Sequence, residues 1–151
     1  DMDELGLALV DECLLRMRAV ARRARRAMVS QDVEPALKTL LGEFLLAVSR
    51  FEPVLRLLIV QWLNPNPEYR RLIRRELSMM RREMANDMRD AAQLKGMGEV
   101  GFDVESDAIF SLLITFVLNA LDISQEKREQ RLAILERQVM MVVLGSRALR
   151  A

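Results

Sequence analysis

Residues 108–121 read AIFSLLITFVLNAL, and what covers that stretch decides the fold. Eleven of its fourteen residues are apolar, so a helix made from it has almost no side fit for water. It falls short of the roughly 18 apolar residues that a membrane span needs. Its cover must therefore be protein, from the rest of the chain or from a second copy. The three polar exceptions, Ser111, Thr115 and Asn119, recur at i, i+4 and i+8 and lie on one line of the helix. Such a line either hydrogen-bonds a ligand or consists of small interfacial residues bonded to backbone carbonyls.

Outward from this stretch, 3.6-residue periodicity runs almost everywhere and alternation of period two nowhere for long, which predicts an all-α domain of about six helices. After Asp122, SQEKREQR opens a last helix to about Arg150, with Leu132, Leu135, Val139, Val142 and Val143 inward and Ile134, Met140 and Met141 outside that stripe. On the other side, Gly96, Gly98 and Gly101 form a loop, and Asp103 or Ser106 caps the helix of 105–121. A long helix of about 67–94 starts on Asn66 with proline in its first position. Ile73, Leu77, Met80, Met84, Met88 and Ala91 form its packed side. Arg70, Arg71, Arg74, Arg75, Arg81 and Arg82, alternating with Glu68, Glu76 and Glu83, form its wet side.

VLRLLIVQWL at 54–63 is apolar at eight of ten positions and is expected to be central, with neighbours all round. Asp32 caps the helix before it, which tolerates Pro35 in its first turn and runs to about Arg50. Its stripe is Val33, Leu37, Leu40, Leu41, Phe44, Leu45 and Val48. The first helix, about 3–28, sets Leu5, Leu9, Cys13, Met17 and Val20 or Ala21 on one face. Six arginines between Arg16 and Arg26 read as a solvated face, because no aromatics are interleaved to stack on bases.

A chain of 151 residues suits one domain, and 51% hydrophobic with 30% charged residues suits an ordered one. Lys plus Arg number 23 against 22 acidic residues, so no net field draws in nucleic acid or an anionic membrane. With no His, one Cys and no Gly-rich phosphate loop, the usual metal sites, thiol pairs and imidazole bases lack residues. The expectation is no enzyme, no cofactor and no metal, with Cys13 a small buried hydrophobe. Revival of an enzymatic reading would take a buried carboxylate pair such as Glu43 with Asp11. Neither a secretory signal nor a membrane span is present, which suggests a cytoplasmic protein. The sequence opens on Asp1 with a helix under way by Asp3, as if cut from something longer.

Two very apolar helices and the outlying residues of the last one compete for a single core. A second subunit is the natural cover for such an excess. In the simplest arrangement the last two helices pair with those of a twofold mate in a four-helix bundle, through Leu113, Phe116, Val117, Leu118, Leu135, Val139 and Val142.

The order of elements carries a resemblance. A first helix entered through DEL is followed by a helix opened by Asp-x-x-Pro, a short apolar helix and then NPEYRRLIRREL. A Gly-rich loop, DVESDA, an apolar helix and a terminal helix complete the series. This resembles, over essentially all 151 residues, the C-terminal ligand-binding and dimerisation domain of tetracycline-repressor-like (TetR/AcrR) bacterial transcriptional regulators. In that family P-E-L-R-x-L-x-R commonly opens the long helix, as Pro67, Glu68, Tyr69, Arg70 and Leu72 do here. G-E-x-x-x-D-x-(D/E) commonly precedes the penultimate helix, as Gly98, Glu99, Asp103 and Glu105 do.

The resemblance implies that residues 1–151 form the effector and dimerisation domain. A helix-turn-helix DNA-binding domain, not in this chain, would precede it. It implies a homodimer on the last two helices and a pocket enclosed by the first four helices with part of the fifth. A mainly apolar or amphipathic effector there would change the spacing of two DNA-binding domains and release operator DNA, making the parent a repressor. Large polarisable side chains near helix ends would line such a pocket: Phe44, Trp62, Tyr69, Met80, Met84 and Phe110, with Gln61 as polar contact. The alternative is a helical adaptor that binds a partner protein and no small molecule.

Overall fold

In a computed structural model the chain is described over residues 2–28, 33–94 and 102–150, and these form six helices and no strand. They are α1 (Met2–Met28), α2 (Val33–Arg50), α3 (Glu52–Trp62), α4 (Pro67–Leu94), α5 (Phe102–Ala120) and α6 (Gln125–Arg150). The all-α expectation and the count of six hold. The Asp32 cap and the loop of Gly96, Gly98 and Gly101, with Glu99, lie outside the described residues, as do the side chains of Cys13, Val20, Ala21, Val33 and Ala91.

The helices pack in a closed circuit. α1 lies against α2 and α4, α4 against α5, α5 against α6, and α6 against α2. α3 touches α1, α2 and α4 from one side. That position corrects the expectation of a central α3: only Leu55 is buried, while Val60 and Leu63 stand in solvent. The apolar character of α3 has a different cause, given below.

Among the described side chains α1 packs on a stripe that shares Met17 with the expected one but not Leu5 and Leu9. Val10 and Leu14 are fully buried, with Leu7 and Met17 beside them, whereas Leu5 and Leu9 are about half exposed. The first half of α1 is apolar on two sides, so period alone offers two stripes, and contact with α2 and α4 selects between them. On α2 the expected stripe is found, with Leu37, Leu41, Leu45 and Val48 buried.

The opening stretch is covered mostly by its own chain. Ile109, Phe110, Phe116, Ala120 and Leu121 are buried, and Leu112, Leu113, Ile114 and Val117 are partly so. Ser111, Thr115 and Asn119 are exposed. The Ser111 hydroxyl donates to the Asp107 carbonyl at 2.9 Å and Thr115 to the Ser111 carbonyl at 3.0 Å. These hydroxyls are satisfied by their own helix.

Local signals set several ends. Asn66 Oδ1 accepts from the Glu68 amide at 3.0 Å, capping α4 as its sequence suggests. Ser106 is no cap: α5 starts before it, and its buried hydroxyl donates to the Arg81 carbonyl at 3.1 Å, tying α5 to α4. The end of α5 is held by cations. Arg128, 7% exposed, donates from Nε to the Ala120 carbonyl at 2.7 Å and from Nη2 to Glu52 Oε2 at 3.0 Å. Arg56 Nη2 donates to the Leu121 carbonyl. Both satisfy carbonyls that a helix C-terminus leaves without intrahelical partners.

Candidate functional site

Beside the core, α1 to α5 line a partly open cavity of about 480 Å³, within the range that holds small-molecule ligands. α1 supplies Leu14 and Met17; α2 supplies Leu40, Leu41, Phe44, Ala47 and Val48, with Phe51 following. α3 supplies Leu55, Leu58, Ile59 and Trp62. α4 supplies Ile73, Leu77, Met80, Arg81 and Met84; α5 supplies Phe110, Leu113, Ile114, Val117 and Leu118. Here is the reason α3 is apolar without being central: its inner residues form a wall of this space.

Five of the residues expected to line a pocket meet here, namely Phe44, Trp62, Met80, Met84 and Phe110. Gln61 and Tyr69 are not brought to it. Gln61 Oε1 accepts from Asn64 Nδ2 at 2.7 Å, turning it toward the loop after α3. Tyr69, 2% exposed, lies under the start of α1 and its hydroxyl donates to the Asp3 carbonyl at 3.3 Å. Burial, with Asp3 adding to it, raises the phenol above its ordinary value, so it remains a donor.

The residues expected at a twofold interface divide three ways. Phe116, Leu135 and Val139 are buried in the chain's own core because α5 and α6 pack on each other and on their neighbours. Leu113 and Val117 face the cavity, as does Leu118, which is also 48% exposed. Val142 is partly buried against the core. Besides Leu118, the apolar groups that the last two helices leave in solvent among the described residues include Val104 of α5 and Ile134, Met141, Leu144 and Leu149 of α6.

The walls are chemically one-sided. Among the described lining residues Arg81 alone carries a charge, and every other is apolar. Its guanidinium carbon stands 5.1 Å from the centre of the Phe110 ring. Arg81 was expected on the wet side of α4 and is instead half-buried. Its place could have been read from spacing, since Leu77, Arg81, Met84 and Met88 follow at i, i+4, i+7 and i+11 and share the packed side.

Behind the cavity wall an ion-pair network joins α1 to α4. Arg18 donates to Glu76 at 3.2 Å and to Glu83, and Arg22 lies 3.4 Å from Glu83. Glu76 is 4% exposed, which corrects its expected place on a wet face. The hydrogen bond to Glu83 is the largest influence on Arg18 and holds its pKa above the ordinary arginine value. Glu43, by contrast, is exposed, so the carboxylate pair with Asp11 is not buried. Among the described residues no His, Cys, Asp and Glu cluster could hold a metal, and no helix is long and apolar enough to cross a membrane.

The chain is similar to a transcriptional regulator. It is 29% identical over 146 residues to an uncharacterised HTH-type transcriptional regulator of Haemophilus influenzae, covering 97% of this chain and 69% of that protein. No family model matches the chain, and no solved structure matches it. The matched span includes nearly every residue that builds the cavity and the network behind it.

A second depression, between α1 and α4, is lined by Leu7, Ala8, Asp11, Glu68, Arg71, Leu72 and Arg75. It is a charged surface cleft with no enclosing wall on α2, α3, α5 or α6 and offers little apolar area to a ligand.

Proposed function

We propose that this chain is the effector-binding and dimerisation domain of a transcriptional regulator of the tetracycline-repressor-like kind, acting in the cytoplasm. The observation that carries the reading is the apolar cavity ringed by α1 to α5. The similarity to an HTH-type regulator over 97% of the chain supports the regulatory role. DNA contact belongs to a helix-turn-helix unit outside these 151 residues.

In this reading a mainly apolar small molecule binds against α1 and α4, both of which line the cavity and are joined by Arg18. Wedging them apart moves α1, the helix nearest any preceding DNA-binding unit. The parent is then a repressor whose DNA-free state is favoured by ligand. A swing of the population from 1:99 to 99:1 requires about 5.5 kcal/mol of differential affinity. A large apolar contact surface is suited to supplying that difference. The homodimer is recast on exposed groups: Ile134, Met141 and Leu144 of α6, with Leu118 of α5, form the twofold contact.

The test is the coding sequence ahead of Asp1, read from the source genome. A helix-turn-helix there is the expected result. A different unit there removes operator DNA from the list of partners.

A further inference from the structure

We infer that the cavity is built for an amphipathic anion, a molecule with an apolar tail and a carboxylate-like head, with Arg81 as the head-group contact. This role rests on the effector-binding reading of the cavity and narrows it to a chemical class. Among the described residues the walls consist of apolar side chains except at one point on α4. A purely apolar ligand needs no cation in such a wall, and burying part of one without a partner is costly.

Arg81 is incompletely satisfied. Its Nε is buried without a hydrogen-bond partner. Asp107 Oδ1 lies 3.4 Å from Nε, near enough for charge attraction but without the alignment of a hydrogen bond. Asp107 is 66% exposed, so solvent screens the pair and its worth is small. The guanidinium is held over the Phe110 ring, and its side chain remains 38% exposed. A group so placed presents planar donors at the edge of an apolar space, which suits a carboxylate with its tail directed inward.

Neighbouring charges do not cancel this arrangement. Arg82 on α4 is exposed, and Glu83 is engaged by Arg18. Ser106 of α5 is already used, donating to the Arg81 carbonyl. Glu105 of α5 is buried and has a partner. Among the described residues Asp107 is the acidic group paired with Arg81, and an anionic head has to displace it.

The experiment uses three probes with one tail and different heads: decanoate, decan-1-ol and decyltrimethylammonium. Binding is followed at neutral pH by emission of Trp62, the single tryptophan and a wall residue. Decanoate is expected to bind at least about tenfold more tightly than decanol, as a charge-assisted hydrogen bond would give, and the cation most weakly. Arg81→Gln should bring decanoate to within about twofold of decanol, weakening decanoate far more than decanol, with unchanged helical circular dichroism showing that the variant is folded. Asp107→Asn should tighten decanoate alone. Equal binding of decanoate and decanol to the unaltered chain, or a carboxylate preference that survives Arg81→Gln, overturns the role of Arg81 and leaves the cavity reading standing. Binding of none of the three overturns both together.

Discussion

Arg18 Nη1 donates to Glu76 Oε2 at 3.2 Å, joining α1 to α4 where the guanidinium is 13% and the carboxylate 6% exposed. A buried pair of this kind adds little compared with an apolar replacement, yet removing one partner leaves an uncompensated charge. Arg18→Ala is therefore expected to destabilise the fold by about 3–5 kcal/mol in urea unfolding. Replacing Arg18 and Glu76 together by Met and Gln should cost clearly less than the sum of the two single changes. Additive losses would mean that the two side chains act separately.

Gly6 of α1 sits against Tyr69, and a Cβ built there would lie 2.3 Å from the Tyr69 hydroxyl. Alanine is the better helix former by about 1 kcal/mol, so Gly6→Ala would stabilise an open helix. Here the clash with a side chain only 2% exposed should dominate, for a net loss of about 1–3 kcal/mol. Adding Tyr69→Phe removes the offending oxygen and should recover most of that loss. A thermal unfolding series of the two single variants and the double variant checks both steps.

Much of this architecture was legible in the residues, and the parts that were not have a common cause. Helix ends marked by Asn66, Pro67 and the Pro53 break are found near their expected places, because capping is decided within a few residues. Which side of a helix is buried is settled by other helices. α1 offered two apolar stripes, and the one with Val10 and Leu14 is buried instead of the one with Leu5 and Leu9. Arg18, Glu76 and Arg81 look solvated in sequence because helical arginine and glutamate usually are. The meeting of α1 with α4 puts Arg18 and Glu76 inside, whereas the half-buried place of Arg81 follows from its spacing with Leu77, Met84 and Met88. Gln61 attracted notice as a polar residue in an apolar helix, whereas its partner, Asn64, lies just beyond that helix.

Glu52 is held below the ordinary carboxylate range, first by the hydrogen bond from Arg128 and next by that from Arg56. A depressed carboxylate contributes stability that is fully present above its unfolded value and lost as pH falls through its folded one. Urea midpoints from about pH 7 down to about pH 3 should therefore decline in the unaltered chain. In Glu52→Gln the decline should be shallower, with the difference at neutral pH closing toward the acid end. An unchanged slope would mean that Glu52 is not linked to folding.

The proposed twofold contact can be tested without disturbing the core, because Ile134 and Met141 are exposed at 48% and 68% in the single chain. They are seven residues apart and share one side of α6. The unaltered chain should run as a dimer in size-exclusion chromatography with light scattering. Ile134→Glu with Met141→Glu should give a folded monomer with unchanged helical circular dichroism. A double variant that stays dimeric moves the interface elsewhere.

The most direct measurement for the cavity itself compares the unaltered chain with Ala47→Phe, which adds a ring to the cavity wall on α2. Decanol, an uncharged probe with no carboxylate for Arg81 to pair with, is added to each at about 100 times its dissociation constant for the unaltered chain. Binding to the folded state alone is then worth about 2.7 kcal/mol, or roughly 5–10 °C in the unfolding midpoint of a domain this size. The unaltered chain should show that rise, and Ala47→Phe should lose most of it while remaining folded. An equal rise in both would contradict effector binding in this cavity.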